Sequence, residues 1–279
     1  MRRSLELFKQ YVNKEKILII IGVFILLCIC MHYTYSESVY SQGYMEDYRD
    51  ASLEFFYYIQ CAGINPFVFM ILMLLLPNIV SYDLLNQQQN HTTYLIETRL
   101  GKSTYYKESF KHNIILSFFT IFILEISLLL VIHVFYGEIT FEHIVYPEQY
   151  HALTQTICKN EIFNLFFFLI LTASGYSLLS SVLFSLQIFF FHKYIYRCSG
   201  VILGISLIVF PILVMGYFPI HDIAVLFQIS PLIALGVEHV RVNPFQLPNI
   251  LHYCATFLIY AVISYILYNI LVKWRKKHD

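Results

Sequence analysis

The sequence predicts an all-α polytopic membrane protein with six transmembrane helices, and three observations carry that prediction. Hydrophobic residues make up 58% of the 279 residues and charged residues 13%, against roughly 45–50% and about 25% in soluble domains. The apolar residues are gathered in long windows, and the basic residues fall between alternate windows. A soluble globule of this length has no means of burying that much apolar surface, so the composition excludes an ordinary cytosolic enzyme, a disordered chain and a secreted disulfide scaffold.

Six apolar windows are the predicted spans, and five of them have the length that a bilayer core requires, about 17–25 helical residues. The fourth window has 30 residues and must therefore tilt, bend or leave the membrane. Five windows contain no Asp, Glu, Lys or Arg, and the third contains only Glu125. The windows are 17–33, 64–81, 113–136, 162–191, 198–218 and 250–272.

The distribution of Lys and Arg predicts the orientation of these spans. Fifteen of the 18 basic residues fall in the N-terminal segment, the second and fourth connecting loops and the C-terminal tail, and three fall in the other loops. Cytoplasmic segments are enriched in Lys and Arg, so both termini are predicted to be cytoplasmic. The acidic residues lean the other way, with eleven in the outer loops and six in the cytoplasmic segments.

The N-terminal residues 1–16 are predicted to lie on the inner membrane surface, ahead of a single six-span domain over 17–279. Leu5, Phe8 and Val12 share one face of a helix, and Glu6 and Lys9 share the other. That pattern is typical of an amphipathic interfacial helix. A solvated basic anchor is the alternative.

Two outer segments are more than simple connections. Residues 34–63 combine tyrosines with acidic residues, which favours an interfacial cap at the headgroup level over a ligand-binding surface. Residues 219–249 are mostly apolar but are broken by four prolines. We expect short re-entrant helices there, before the last span, and we expect them to pack on the spans because irregular backbone at membrane depth must be covered.

No catalytic, metal-binding or cofactor motif is predicted in this chain. Gly101-Lys102-Ser103 resembles the end of a phosphate-binding loop, but that loop requires a glycine where this chain has Ile96. Glu125 and His133 lie on one predicted helix just over two turns apart, too far for direct contact. The sequence also gives no basis for a nucleic-acid partner.

The cytoplasmic loop over residues 84–107 is the strongest candidate for a functional element. It mixes charges of both signs with apolar positions and is longer than a simple connection requires. We interpret it as a docking element for a soluble partner, with a surface helix on the lipid headgroups as the alternative. Its candidate docking residues are Asp83, Glu97, Arg99, Lys102, Tyr106 and Lys107.

At this point the chain resembles the membrane subunits of type 2 ABC exporters, which serve bacteriocin, antibiotic and lipid export. The second window begins Gly-Ile-Asn-Pro at 63–66 and ends near Tyr82-Asp83. Residues 94–111 read Tyr-Leu-Ile-x-Thr-Arg-x-Gly-x-x-x-Tyr-Tyr-x-x-x-x-Lys, similar to the family's cytoplasmic loop. Residues 228–232, Gln-Ile-Ser-Pro-Leu, are similar to the segment that precedes the family's re-entrant helices.

The resemblance implies a multi-pass permease of the bacterial plasma membrane that pairs with a second, identical or related permease. Two copies of a separate ATPase subunit would bind ATP and Mg²⁺, and each would dock on residues 84–107 and the N-terminal helix. A secondary transporter or channel that works without an ATPase is the alternative, and a membrane-embedded enzyme is a third class. The transported substrate is not readable from the residues.

Among Asp, Glu, Lys and Arg, Glu125 is the one residue inside a predicted span, and it lies near the middle of window 113–136. A charge at the bilayer centre costs at least about 2.5 kcal/mol on insertion scales, so we expect the carboxyl to face another helix, a partner subunit or a wet path. Burial there favours the neutral acid. Two roles remain open for Glu125, a group on the transport pathway and a hydrogen-bonding group that fixes helix packing.

Overall fold

The computed structural model of the chain describes residues 14–42, 52–61, 66–82, 97–98, 101–139, 141, 160–190, 193–217, 226–227, 229–233 and 249–278. Throughout these ranges the regular structure is helical, without strands. The elements are α1 (Lys14–Gln42), α2 (Ser52–Cys61), α3 (Pro66–Ser81), α4 (Lys102–Phe135), α5 (Glu161–Leu186) with a 3₁₀ turn (Gln187–Phe189), α6 (Lys193–Tyr217), α7 (Ser230–Ile233) and α8 (Asn249–His278).

Four helical stretches are long and apolar enough to cross a membrane, judged by length and composition: Lys14–Ser36, Lys102–Phe135, Ile162–Leu186 and Ile250–Trp274. They cover the first, third, fourth and sixth predicted windows. The second and fifth windows fall on α3 and α6, whose apolar stretches Val68–Ser81 and Ile195–Phe210 are shorter. The all-helical fold is therefore confirmed for the described residues and is consistent with a helical membrane protein, and the count of six spans stays a prediction.

Several helix ends differ from the predicted windows. Helix α1 continues to Gln42 and α4 begins at Lys102, so both helices extend well into segments predicted as loops. Hydropathy windows end where polar residues begin, whereas a helix continues as long as its backbone hydrogen bonds do. The fourth window is longer than a span because it continues past the end of α5 at Leu186 into a 3₁₀ turn.

Helix α5 is the centre of the bundle and packs against α3, α4, α6, α7 and α8. Its serines allow close approach, as small residues do between membrane helices. Ser181 Oγ lies 2.6 Å from Ser264 Oγ of α8, and Asn113 Nδ2 of α4 donates to the Ser180 carbonyl at 3.1 Å. These bonds hold the outer helices to α5 without requiring charge in the apolar layer.

Two glycine sites set close helix contacts. A Cβ on Gly200 of α6 would lie 2.8 Å from the Leu74 carbonyl of α3, and one on Gly204 would lie 2.6 Å from the Leu74 side chain. Each distance is too short for a real side chain, so α3 and α6 reach this separation only because both positions lack one.

The helices around α5 turn apolar side chains outward, as helices surrounded by lipid do. These residues are largely exposed on α1, α4 and α8 and include Leu18, Ile25, Ile29, Ile123, Leu130, Leu258 and Val262. In a soluble protein such faces would form an unusually large exposed apolar surface. Their placement agrees with the composition of the chain.

The described part of the predicted re-entrant segment packs on the bundle. Ile229, Leu232 and Ile233 are buried, and α7 contacts both α5 and α8. The Tyr260 hydroxyl of α8 donates to the Phe227 carbonyl at 2.7 Å. The expectation that these residues pack on the helices is confirmed for this piece, whereas the expected pair of short helices is described only as the single turn of α7.

Candidate functional site

The first candidate site is a group of polar residues in the middle of the bundle, which we call the Glu125 cluster: Gln60 of α2, Glu125 of α4, and Thr172 and Tyr176 of α5. All four residues are buried. Gln60 Nε2 donates to Glu125 Oε2 at 2.9 Å. Glu125 Oε1 is also buried, and no described residue forms a hydrogen bond with it. Of the three surroundings predicted for this carboxyl, the structure therefore shows other helices, and among the described residues one of its two oxygens lacks a hydrogen-bond partner.

The α5 side of this cluster lies on one face of the helix. Phe168, Thr172 and Tyr176 are spaced by four residues, which stacks them along one face. Tyr176 is close enough to Glu125 for an electrostatic interaction. Thr172 Oγ1 is buried and forms no hydrogen bond with any residue that the structure describes. A second unsatisfied polar atom thus lies on the face of α5 that interacts with Glu125.

The α2 side of the cluster corrects the sequence analysis. Residues 52–61 were expected in an interfacial cap, but they form a helix whose described side chains are buried, including Phe56, Tyr57 and Gln60. The rings of Tyr57 and Phe168 meet edge to face, with centroids 5.0 Å apart. The correction has a physical reason, because Leu53, Phe56, Tyr57 and Gln60 follow helical spacing and give α2 an inward face.

Aromatic contacts also fix α2 at its neighbours α1 and α4. The ring of Tyr35 on α1 lies 5.6 Å from that of Phe55 on α2 and 4.5 Å from that of Tyr136 at the end of α4, centroid to centroid. Tyr136 Oη lies 3.1 Å from His32 Nδ1 of α1. Three helix segments therefore meet at this aromatic group, and α2 lies between it and the Glu125 cluster.

In either protonation state, the described residues leave one oxygen of Glu125 without a hydrogen-bond partner. A carboxylate there would be a buried anion, and no described Lys or Arg forms an ion pair with it. A neutral acid would instead hold a hydroxyl proton, and buried donors without acceptors are also costly. One further group that carries positive charge or hydrogen-bonding capacity would complete the site.

The second candidate site is the part of the bundle that holds both ends of the loop between α3 and α4, which we call the loop root. At the α3 end, Lys16 Nζ of α1 donates to the Val80 carbonyl at 3.1 Å. Gln187 Nε2 donates to the Ser81 carbonyl at 2.7 Å, and the Arg197 guanidinium lies 4.7 Å from the centre of the Tyr82 ring. Carbonyls at a helix end need such partners, and here they come from α1 and from the turn after α5.

Tyr196 of α6 ties this end of α3 more tightly. Its hydroxyl donates to the Leu183 carbonyl of α5 at 3.2 Å and also accepts from Gln187 Nε2 at 3.0 Å. Asn78 Nδ2 of α3 donates to the Tyr196 carbonyl. The end of α3 is thus joined to α5 and α6 by buried hydrogen bonds.

The α4 end of the loop root is a helix start held by aromatic side chains. Gly101 adopts a φ of 82°, in the region that favours glycine, and its N–H donates to the Glu97 carbonyl at 2.8 Å. Tyr105 and Tyr106 follow and pack in a buried cluster with Phe184 of α5 and Leu271 of α8. The start of α4 is therefore fixed to two further helices.

The predicted docking residues are placed unevenly. Lys107 is exposed and Lys102 is half-buried, whereas Glu97 and Tyr106 are buried. Residues 102–107 form the first turns of α4, so only the earlier part of the predicted loop precedes the helix. Asp83, Arg99 and the N-terminal Leu5, Phe8 and Val12 lie outside the described residues.

Sequence reasoning missed Gln60, Gln187 and Tyr196, which make long-range hydrogen bonds in the two sites. The helical spacing of α2 was the only available signal for Gln60, and nothing local marked the other two residues. Comparisons of this chain with protein-family models, with curated proteins and with solved structures found no match.

Proposed function

We propose that this chain is the transmembrane permease subunit of an ATP-driven exporter of the type 2 ABC class, in a bacterial plasma membrane. In this proposal it crosses the membrane six times and forms the substrate path with a second permease. A separate ATPase subunit docks on residues 84–107. The observation that carries the proposal is the loop root, because both ends of the proposed docking loop are tied to the packed helices.

The mechanism follows from how the loop root is built. A partner that pushes on residues 84–107 acts on α3 through Ser81 and Tyr82, and on α4 through Tyr105 and Tyr106. Those residues contact α6, α8 and the C-terminal end of α5 with the turn that follows it, and the neighbouring Val80 accepts a hydrogen bond from α1, so a displacement of the loop reaches most of the bundle. A ligand shifts a conformational equilibrium only through contacts that differ between two states. Exposed charge such as that of Lys107 supplies contacts of that kind.

In this proposal ATP and Mg²⁺ are bound by the partner ATPase, and hydrolysis takes place there. The residues of this chain transmit the resulting motion. Gly101 and Lys102 serve as the start of α4, where the positive φ of Gly101 turns the chain into the helix. The glycine of the Gly101-Lys102-Ser103 motif thus has a structural role at the start of a helix.

A secondary transporter is the second candidate, and Glu125 is the observation that favours it. Ionisable residues buried in apolar helices often belong to proton or ion pathways. In such a transporter, ion movement would replace ATP as the energy source and the loop would need no ATPase. The experiment described next distinguishes the exporter from the secondary transporter.

The test is purification of an affinity-tagged chain from its own bacterium, followed by mass spectrometry of the bound proteins and an assay of ATP hydrolysis. We expect an ATPase with a phosphate-binding loop to co-purify in about equal amount. Arg99→Glu should lose that ATPase, because a reversed charge at an interface can cost several kcal/mol. Glu138→Gln, at an exposed glutamate beyond α4, is the control.

Absence of any such ATPase from the wild-type preparation, with the chain intact and monodisperse, would reject the exporter proposal in favour of the secondary transporter. Equal ATPase capture by the wild type and by Arg99→Glu would show that the partner does not depend on this charge of the loop. Membrane abundance of each variant must be matched before the comparison.

A further inference from the structure

We propose that the Glu125 cluster binds a positively charged group of the transported molecule, and that α2 is the lid over this site. The inference rests on the proposed transport function and deepens it by naming a substrate class, a cation carried on an apolar body. It starts from the unsatisfied half of the Glu125 carboxyl. Oε1 is fully buried yet has no partner within the described part of the chain, while Oε2 accepts from Gln60.

A cation is the ligand that this carboxyl lacks. Buried charges are tolerated where they are paired, and no described Lys or Arg pairs with Glu125. A cationic group brings the positive charge that a buried carboxylate needs, and an ammonium or guanidinium group adds N–H donors that Oε1 can accept. Thr172 Oγ1, also unsatisfied, offers a further acceptor on the α5 face that interacts with Glu125.

The aromatic surroundings fit the same ligand. Tyr57 and Phe168 pack edge to face beside the cluster, and Tyr176 lies on the same α5 face as Phe168. Aromatic faces attract cations, most strongly where water is excluded. They also accept apolar groups, so a charged centre with a hydrophobic body satisfies both parts of the site. A purely hydrophilic cation would leave the aromatic part unused.

Helix α2 has the properties of a removable cover. It has ten residues, which span about 15 Å at the usual helical rise and do not cross a bilayer. The N–H of Gln60 occupies one oxygen of Glu125 as the N–H of a ligand would. In the present arrangement α2 closes the site, and binding of the cation requires that this helix give way.

The net charge of the predicted outer segments also favours a cationic ligand. They hold eleven acidic residues and three basic residues, so a cation that leaves towards that side meets a negative surface. Surfaces of one sign raise the local concentration of the opposite ion. The path outward from Glu125 therefore does not repel a positively charged molecule.

The experiment measures binding of two ions of nearly equal size and opposite charge to the full chain in nanodiscs, without ATPase. The probes are radiolabelled tetraphenylphosphonium and tetraphenylborate, each corrected with empty nanodiscs. We expect saturable binding of the phosphonium alone. Glu125→Gln should weaken that binding about tenfold or more, because it removes the negative charge that pairs with the buried cation. Glu138→Gln should bind as the wild type does.

Gln60→Ala tests the role of α2 as a lid separately from the role of Glu125 in binding. It leaves the carboxyl in place and removes one bond that holds α2 over it, so phosphonium binding should be retained or tightened. Saturable binding of both ions by the wild type, or of neither, would overturn the proposal without any variant. Equal phosphonium binding by the wild type and by Glu125→Gln would also overturn it. The ATPase capture described above is a separate readout, so failure of the exporter proposal is recognised independently.

Discussion

At the scale of single residues, Gly175 shows how one missing side chain positions a whole segment. A Cβ at this position of α5 would overlap the Leu232 carbonyl of α7. The absence of a side chain allows α7 to touch α5 through its backbone, which buries Ile229, Leu232 and Ile233. The apolar content of the segment predicted that it would pack on the bundle, but not which residue would receive it, because that contact joins positions far apart in the chain.

The prediction at this scale compares two glycine-to-alanine changes. Gly175→Ala should destabilise the packing of α7 by roughly 1–3 kcal/mol, the usual cost of overpacking. Gly22→Ala on α1 is the matched control, because no atom lies within 4 Å of the added carbon, and alanine there should be neutral or slightly stabilising. The measurement is the temperature at which the detergent-solubilised chain loses its monodisperse peak. Equal temperatures for the two variants would contradict the close contact.

At the scale of elements, the first turns of α4 combine buried and exposed residues that the sequence analysis placed in one proposed docking loop. Tyr106 is 2% exposed and packs with Phe184 and Leu271, whereas the adjacent Lys107 is exposed. The charge pattern marked this stretch as a candidate docking element, but it could not separate inward from outward residues. Which side chains face inward depends on where α4 begins. The helix begins at Lys102, about three turns before the start of the hydropathy window.

Separate substitutions of these two neighbouring residues should therefore have opposite effects on stability and on ATPase capture. Tyr106→Ala should lower thermal stability by about 3 kcal/mol or more, as large-to-small changes of buried aromatic residues do. Lys107→Glu should leave stability unchanged and reduce capture of the proposed ATPase, because it reverses an exposed charge. Thermal unfolding and ATPase co-purification are measured on the same preparations. A stable Tyr106→Ala variant, or full capture by Lys107→Glu, would each contradict the assignment of that residue.

At the scale of the whole molecule, the sequence predicted most where the signal is local and least where it is long-range. The apolar windows located four long helices because each window is a property of neighbouring residues. The depth of Glu125 predicted that it would face another helix, a partner subunit or a wet path, and the structure places it against another helix. Its partner Gln60 was missed because the bond joins residues 65 positions apart and because the tyrosines of α2 suggested an interface. Such pairings arise from packing, which composition does not encode.

The orientation of the whole chain is predicted by the basic residues alone, of which 15 lie on one predicted side and three on the other. Starting from a variant without the six native cysteines, single cysteines are placed at Glu46, Gln88, Glu148 and Lys276. A membrane-impermeant maleimide added to intact cells should label positions 46 and 148 and miss positions 88 and 276, because segments rich in Lys and Arg stay in the cytoplasm. Permeabilised cells should label all four, which controls for reactivity. Labelling of position 88 in intact cells would place the proposed docking loop outside the cell, where no ATPase could reach it, and the exporter proposal would fail with the topology.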